Sequence, residues 1–296
     1  MRVFVTGASG WIGSATVPGL LAAGHEVTGL ARSDASARAV EALGARAHAG
    51  SLDDLESLRA GAEKADAVVH LAFKHDFTDY AGAGRTERAV VETFLDELAG
   101  SGRKLLLASG LAGRPGAVLT EDDPTAFTGP DAPRGGTDGL VLAAAGRGVA
   151  GVALRFSATV HGAGDHGFTA VLARTARERG VSGYVGDGQH HWPAVHVSDA
   201  GRAVALAVDR AEGGTAVHAV AEEGIATREI AEAIGRAVGV PTVSVDPDDA
   251  AEHFGWLGTF WGMDIRASSA LTRERLGWEP TGPTLLEDIA AGAYPG

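Results

Sequence analysis

The sequence predicts an α/β fold, a doubly wound parallel sheet with a smaller, C-terminal substrate-binding part packed against it. Two observations carry that prediction. The chain opens on a short apolar run, Val3-Phe4-Val5, which ends in Thr6 and in glycines at 7, 10 and 13. Strand-like and helix-like runs then alternate through the whole first half. The opening run reads as a buried parallel strand turning directly into a helix, roughly Ile12 to Ala23. Gly7 permits a tight turn, Gly10 lets backbone N–H groups approach a pyrophosphate, and Gly13 lets the helix pack closely on the strand. The helix then aims its N-terminal dipole and free N–H groups at that phosphate, so the stretch is expected to bind a dinucleotide.

Gly24 to Leu30 supplies a second strand, Ala35 to Leu43 a helix, and Ala45 to Ala49 a short third strand. Asp53 to Ala60 reads as a helix and Ala67 to Leu71 as a fourth strand. From Glu87 to Leu98, Val90, Val91, Phe94, Leu95 and Leu98 fall on one helical stripe, and Lys104 to Ala108 follows as a fifth strand. Residues 113–135 are rich in Gly, Pro, Asp and Thr and read as loop. Thr137 to Ala145 is then a helix and Gly151 to Phe156 a sixth strand. Such alternation calls for right-handed crossovers, and it places ligands at the carboxyl ends of the strands where the strand order reverses.

The second half is less regular. Phe168 to Arg179, Ser198 to Ala211 and Thr227 to Val238 read as helices, and Thr215 to Val220 as a further strand. His253 to Met263 concentrates Phe254, Trp256, Phe260 and Trp261, which suits an apolar substrate pocket as well as a core or a subunit contact. No repeat or low-complexity linker separates the halves, so the second is expected to pack onto the first as a lid.

Composition narrows the function. A chain of 296 residues can bury an ample core, as one large unit or two modest domains. No apolar run approaches the roughly 18 residues of a membrane span, and the N-terminus enters a strand instead of a signal peptide, so no membrane partner is expected. With no cysteine, disulfides and thiol chemistry are excluded, which fits a cytoplasmic location. A formal net charge of −13 argues against nucleic acid, which calls for a basic face. Lysine is scarce: only Lys64, Lys74 and Lys104 occur.

Several motifs together resemble one family. Thr6-Gly-Ala-Ser-Gly-Trp-Ile-Gly13 resembles the cofactor loop of extended and atypical short-chain dehydrogenases/reductases, the NAD-dependent epimerase/dehydratase group. His70-Leu-Ala72 is similar to its segment after the fourth strand, and Ala153 to Gly162 to its sixth strand and following loop. Trp192 to Asp199 resembles the lead-in to a late helix, and Leu276-Gly-Trp-Glu-Pro280 the usual C-terminal ending. The resemblance implies a Rossmann core over residues 1–160 and 192–222, with residues 161–191 and 223–296 forming the substrate-binding part. It implies cofactor contacts from Gly7, Ser9, Gly10, Trp11, Ile12 and Gly13, and from Leu71, Ala72 and Phe73. Asp53 resembles the acid that contacts adenine, and it is also placed to cap a helix.

Cofactor choice turns on the end of the second strand. NAD-users of the family carry an acid there that holds the ribose 2′-hydroxyl, whereas this chain reads Ala31-Arg32-Ser33. A carboxylate would repel a 2′-phosphate and a guanidinium can clamp it, so NADP(H) is expected over NAD(H).

The reaction centre departs from the family. Ser109 matches the family's serine after the fifth strand. Laying the family's Tyr-Gly-x-Ser-Lys over Arg134-Gly-Gly-Thr-Asp138 puts Arg134 on the tyrosine and Asp138 on the lysine, and no Tyr-x-x-x-Lys occurs anywhere. Arg134 and Asp138, spaced i, i+4, are expected on one face of a helix start, positioning substrate. Lys74 or His75, after the fourth strand, can deliver a proton, and His161 has a similar claim. Neither Ser9 nor Ser109 lies in Gly-x-Ser-x-Gly, which sets a hydrolase aside. His190, His191 and His196 lack metal-ligand spacing, and no metal is expected.

The function these features support is an NADP(H)-dependent oxidoreductase acting on a small carbonyl, imine or alcohol. The missing pair keeps open a non-redox dinucleotide sensor, or a lyase or isomerase. The family's mode of assembly through helices 87–98 and 137–145 makes a homodimer an expectation.

Overall fold

Val3 and Val5 point to one face of the central sheet and Phe4 to the other, and the same alternation repeats strand by strand. The computed structural model describes residues 1–75, 79–114, 116–125 and 127–294. Seven strands form the sheet: β1 (Arg2–Thr6), β2 (Glu26–Ala31), β3 (Arg46–Ala49), β4 (Ala67–His70), β5 (Lys104–Gly110), β6 (Ala150–Phe156) and β7 (Thr215–Ala219). They lie in the order 3-2-1-4-5-6-7, and every neighbouring pair is parallel. The order reverses between β1 and β4, which opens a crevice at their carboxyl ends.

Helices α1 (Trp11–Ala22), α2 (Asp34–Ala42) and α7 (Val197–Arg210) cover the face that receives Val3, Val5, Val69, Leu106 and Leu154. On the other face α3 (Leu55–Glu63), α4 (Tyr80–Leu98) and α5 (Thr137–Leu142) pack over Phe4, Val68, Leu105 and Leu107. The apolar stripe of α4 is covered within the chain: Val90, Val91, Phe94 and Leu98 are fully buried against the sheet. The smaller core gathers Leu172 and Ala176 of α6 (Phe168–Arg179), Ile230 and Ile234 of α8 (Thr227–Val238), Trp192 and Leu285. Around it run strands too short to show periodicity. His191–His196 lies between Thr159–His161 and Glu222–Ala226, and Ser182–Val185 pairs with Thr242–Val245.

Several boundaries differ from the sequence reading for local reasons. Asp54, not Asp53, caps α3, accepting from the Ser57 N–H at 3.1 Å. Helix α4 starts at Tyr80, seven residues before Glu87, because Asp79 accepts from the Gly82 N–H. Helix α5 ends at Leu142, and Ala144–Arg147 winds on as a 3₁₀ turn closed by left-handed Gly148. The stretch 113–135 holds the short strand Val118–Leu119, paired with Arg266–Ala267. Phe254 and Trp261 are core residues, whereas Trp256 and Phe260 pack outward against Phe168. Among the described residues no helix is long and apolar enough to cross a membrane.

Candidate active site

The glycine loop is shaped by contacts that leave no room for a side chain. A Cβ on Gly7, whose φ is +70°, would lie 2.8 Å from the Ala72 nitrogen, so the loop presses on the segment leaving β4. One on Gly13 would lie 2.0 Å from the Gly7 carbonyl, which lets α1 sit directly on the turn. Gly10 caps α1 in extended conformation without a side chain, and the first turn of α1 holds no acidic residue. Its leading N–H groups have no intrahelical partner and face the crevice with the positive end of the dipole. The free N–H groups and dipole of this cradle suit an anion such as a pyrophosphate, which the backbone from Ser9 to Gly13 would hold. Trp11 braces the rim: its indole N–H donates to the Val160 carbonyl at 2.8 Å, and its ring meets His166 edge-on.

On the β2 side, Ala31 is buried and Arg32 is exposed. Ser33 is occupied as the cap of α2, accepting from the Ser36 N–H. Lys74 is drawn to this side, with its Nζ 2.5 Å from Asp53 Oδ1. The structure thus joins Lys74 to the acid expected at the adenine.

At the other end of the crevice a buried polar row begins at the cofactor loop. Thr6 Oγ1 accepts from the Ala72 N–H at 3.3 Å and lies 2.5 Å from His70 Nδ1. His70 Nε2 faces Glu87 Oε2 at 3.3 Å without an aligned hydrogen bond, both side chains being fully buried. The other Glu87 oxygen accepts from the Arg134 guanidinium at 2.8 Å. Arg134 in turn lies over the Phe73 ring, 4.2 Å from its centre. Burial alone would raise the Glu87 carboxyl. The charges of Arg134 and His70, with the Arg134 hydrogen bond, outweigh it and hold the group below the usual carboxylate range.

Arg134 and Asp138 do not share a helix face, which corrects the expectation from their spacing. Arg134, Gly135 and Gly136 are successive left-handed residues, with φ of 55°, 64° and 63°, so the chain turns before α5 begins. Among the described residues Arg134 is the one non-glycine with positive φ. Asp138, in the first turn of α5, is buried and pairs with Arg155 at 3.0 Å. Ser109 is part-exposed at the carboxyl end of β5, in register with Arg155. His75 keeps an exposed edge, and desolvation of the rest of its ring, then the positive charge of Arg134, pushes its pKa down. His161 is fully enclosed, its Nδ1 2.6 Å from Asp288 Oδ2. Among the described residues no group of three or more potential ligands is placed to hold a metal ion.

Sequence reasoning missed Thr6, His70, Glu87 and Arg155 as members of these networks. Glu87 had left a signal. It stands three, four and seven residues before Val90, Val91 and Phe94, on the stripe that must face the core. A carboxylate in that register has to find a buried partner.

A model of the NAD dependent epimerase/dehydratase family matches residues 3–220. The chain is 43% identical to an uncharacterized protein of Schizosaccharomyces pombe over 299 aligned residues, covering 99% of this chain and 100% of that one. It is 32% identical to the 2′-dehydrokanamycin reductase of Streptomyces kanamyceticus, over 86% of this chain and 72% of that one. The structure resembles the UDP-glucose 4-epimerase of Thermus thermophilus in complex with NAD, with a TM-score of 0.76 and 23% identity over 99% and 98% of the chains. The chain belongs to the NAD-dependent epimerase/dehydratase family. It is an enzyme of the oxidoreductase type, built on the Rossmann fold of the short-chain dehydrogenases/reductases.

Proposed function

We propose that this protein is an NADP(H)-dependent oxidoreductase of the atypical short-chain type, acting on a small or medium carbonyl, imine or alcohol. The observation that carries the reading is an intact glycine cradle joined by one buried polar row to an arginine at the family's tyrosine position. Exposed Arg32, with no carboxylate at the end of β2, supports a 2′-phosphate over a free ribose hydroxyl. The reductase named among the relatives supports the reduction of a carbonyl compound.

A dinucleotide bound in the cradle supplies hydride chemistry. The chain's own residues orient the substrate and hold charge. The Arg134 guanidinium is part-exposed and always protonated, so it can donate a hydrogen bond to a carbonyl oxygen and stabilise negative charge developing there. Glu87 already neutralises it, which favours an uncharged carbonyl over a carboxylate as its partner. Ser109 and His75, both within reach of solvent, are the groups that can relay a proton to that oxygen.

The absent Tyr-x-x-x-Lys pair supports a second reading, a non-redox dinucleotide sensor or a lyase or isomerase on this scaffold. NADPH oxidation, followed by absorbance against a panel of carbonyl compounds, separates the two. Turnover with at least one compound is expected. Tight NADPH binding with no oxidation by any of them rules the redox reading out. Calorimetry tests the cofactor preference: Arg32→Ala should cost NADPH about 1.5–3 kcal/mol, the scale of hydrogen bonds to a charged group, and leave NADH unchanged.

A further inference from the structure

Two features of the Arg134–Glu87 pair are costly. A left-handed backbone at a residue with a Cβ is strained, and the next two residues in the same turn are glycines that adopt it freely. A fully buried carboxylate is costly too, and an apolar residue on the stripe of α4 would pack at least as stably. What the pair does achieve is placement. Helix α4 grips the turn at three points. The Arg88 guanidinium donates to the Gly135 carbonyl at 2.9 Å. Gly84 is so close that an added Cβ would lie 3.1 Å from the Gly135 nitrogen. Glu87 takes the Arg134 side chain itself.

We propose that Glu87 is the positioning residue of this site. Its carboxylate seats the Arg134 guanidinium over Phe73 at the reaction end of the crevice, and through His70 and Thr6 it ties that seat to the cofactor loop. The proposal rests on Arg134 being the group that faces substrate. It differs from the family arrangement in kind: a fixed anion beneath a permanent cation takes the place of a cation beneath a titratable phenol. Four side chains form the whole row, from Thr6, which directly precedes Gly7, to Arg134.

The test uses the full-length protein without any substrate. The Nε of Arg134 is enclosed and has no hydrogen-bond partner among the described residues, so the hydrogen exchange of its N–H reports whether the guanidinium stays seated. Glu87→Gln keeps the volume and removes the charge. In that variant the Arg134 Nε–H should exchange at least about tenfold faster, and the ring-nitrogen shifts of His70 should move, while amide signals of the small core stay in place. Glu87→Asp, which keeps the charge, should restore part of the protection. Unchanged Arg134 exchange in Glu87→Gln overturns the proposal.

A cycle of Glu87→Gln and Arg134→Ala, read as Tm, gives a second decision. The double variant should fall by less than the sum of the single ones, and additive losses would mean the pair does not act as a unit. Where a carbonyl substrate is in hand, Glu87→Gln should lower kcat about 10²-fold with the affinity for NADPH within about twofold of wild type. If the wild-type protein oxidises no NADPH, the redox reading fails while the exchange and Tm results still decide the role of Glu87.

Discussion

Arg134 pairs with Glu87 at 2.8 Å and Arg155 pairs with Asp138 at 3.0 Å, so by distance the two are equivalent. Their surroundings are not. Arg155 lies near the carboxyl end of regular β6 and Asp138 in the first turn of α5, and both side chains are 7% exposed. A further Arg155 N–H donates to the Asp123 carbonyl, so this arginine pins the loop before α5. Arg134 lies on a left-handed turn, is 21% exposed, and has only its carboxylate sealed from water. One pair closes the structure; the other presents a cation at the mouth of a crevice. The difference arises in the backbone, because the left-handed run at 134–136 turns the two side chains toward different elements.

Breaking the closed pair should have the largest effect. Asp138→Ala leaves Arg155 charged, buried and short of its partner, a situation that typically costs about 3–5 kcal/mol. Urea denaturation should show a lower midpoint with an unchanged slope. A loss under about 1 kcal/mol would mean that water reaches Arg155 and that the two pairs are alike after all.

The open pair should fail differently. On the proposed function, the group lost in Arg134→Ala is one that donates to charge developing on the substrate, and removing such a donor typically costs about 10²–10³ in kcat. Stability should fall less than in Asp138→Ala, because the edge of the crevice lets water reach the stranded Glu87. NADPH affinity, measured by calorimetry, should stay within about twofold, as the cradle lies at the far end of the row. Turnover within about twofold of wild type would place the chemistry elsewhere in the crevice.

How much of this was legible in the sequence follows from the range of the forces involved. The glycine turn, the strands of the central sheet and α8 depend on local pattern, and residues 227–238 form a helix with the expected ends. The short strands around His191–His196 carry no period of their own and form only because the small core gathers them. The reaction end was half legible. Arg134 stood out as the residue in place of a tyrosine, but its partner is 47 positions away and spacing offered only Asp138. Sequence spacing assumes one continuous helix, and three left-handed residues in a row violate that assumption.

Lys74 supplies the smallest and sharpest test of the division. It is the one lysine in the segment that follows β4, and on chemistry alone it is the obvious proton donor. Its ammonium instead meets Asp53 at 2.5 Å on the β2–β3 side, with 38% and 68% of the two side chains exposed. An ion pair so open to water is worth about 0–1 kcal/mol, so Lys74→Ala should leave the unfolding midpoint almost unmoved. Freed from Lys74, Asp53 loses the contact that fixes it, and the resemblance gives Asp53 the adenine. A rise of up to about fivefold in the KM for the dinucleotide is therefore expected, with kcat within about twofold of wild type. That split, measured in one set of steady-state curves, assigns Lys74 to the cofactor end. The opposite split, kcat down by the 10²-fold or more that a positioned acid contributes with KM for the dinucleotide unchanged, would make Lys74 the proton donor. The side chain would then have to leave Asp53 during turnover, and Arg134 and Glu87 would be only half of the reaction centre.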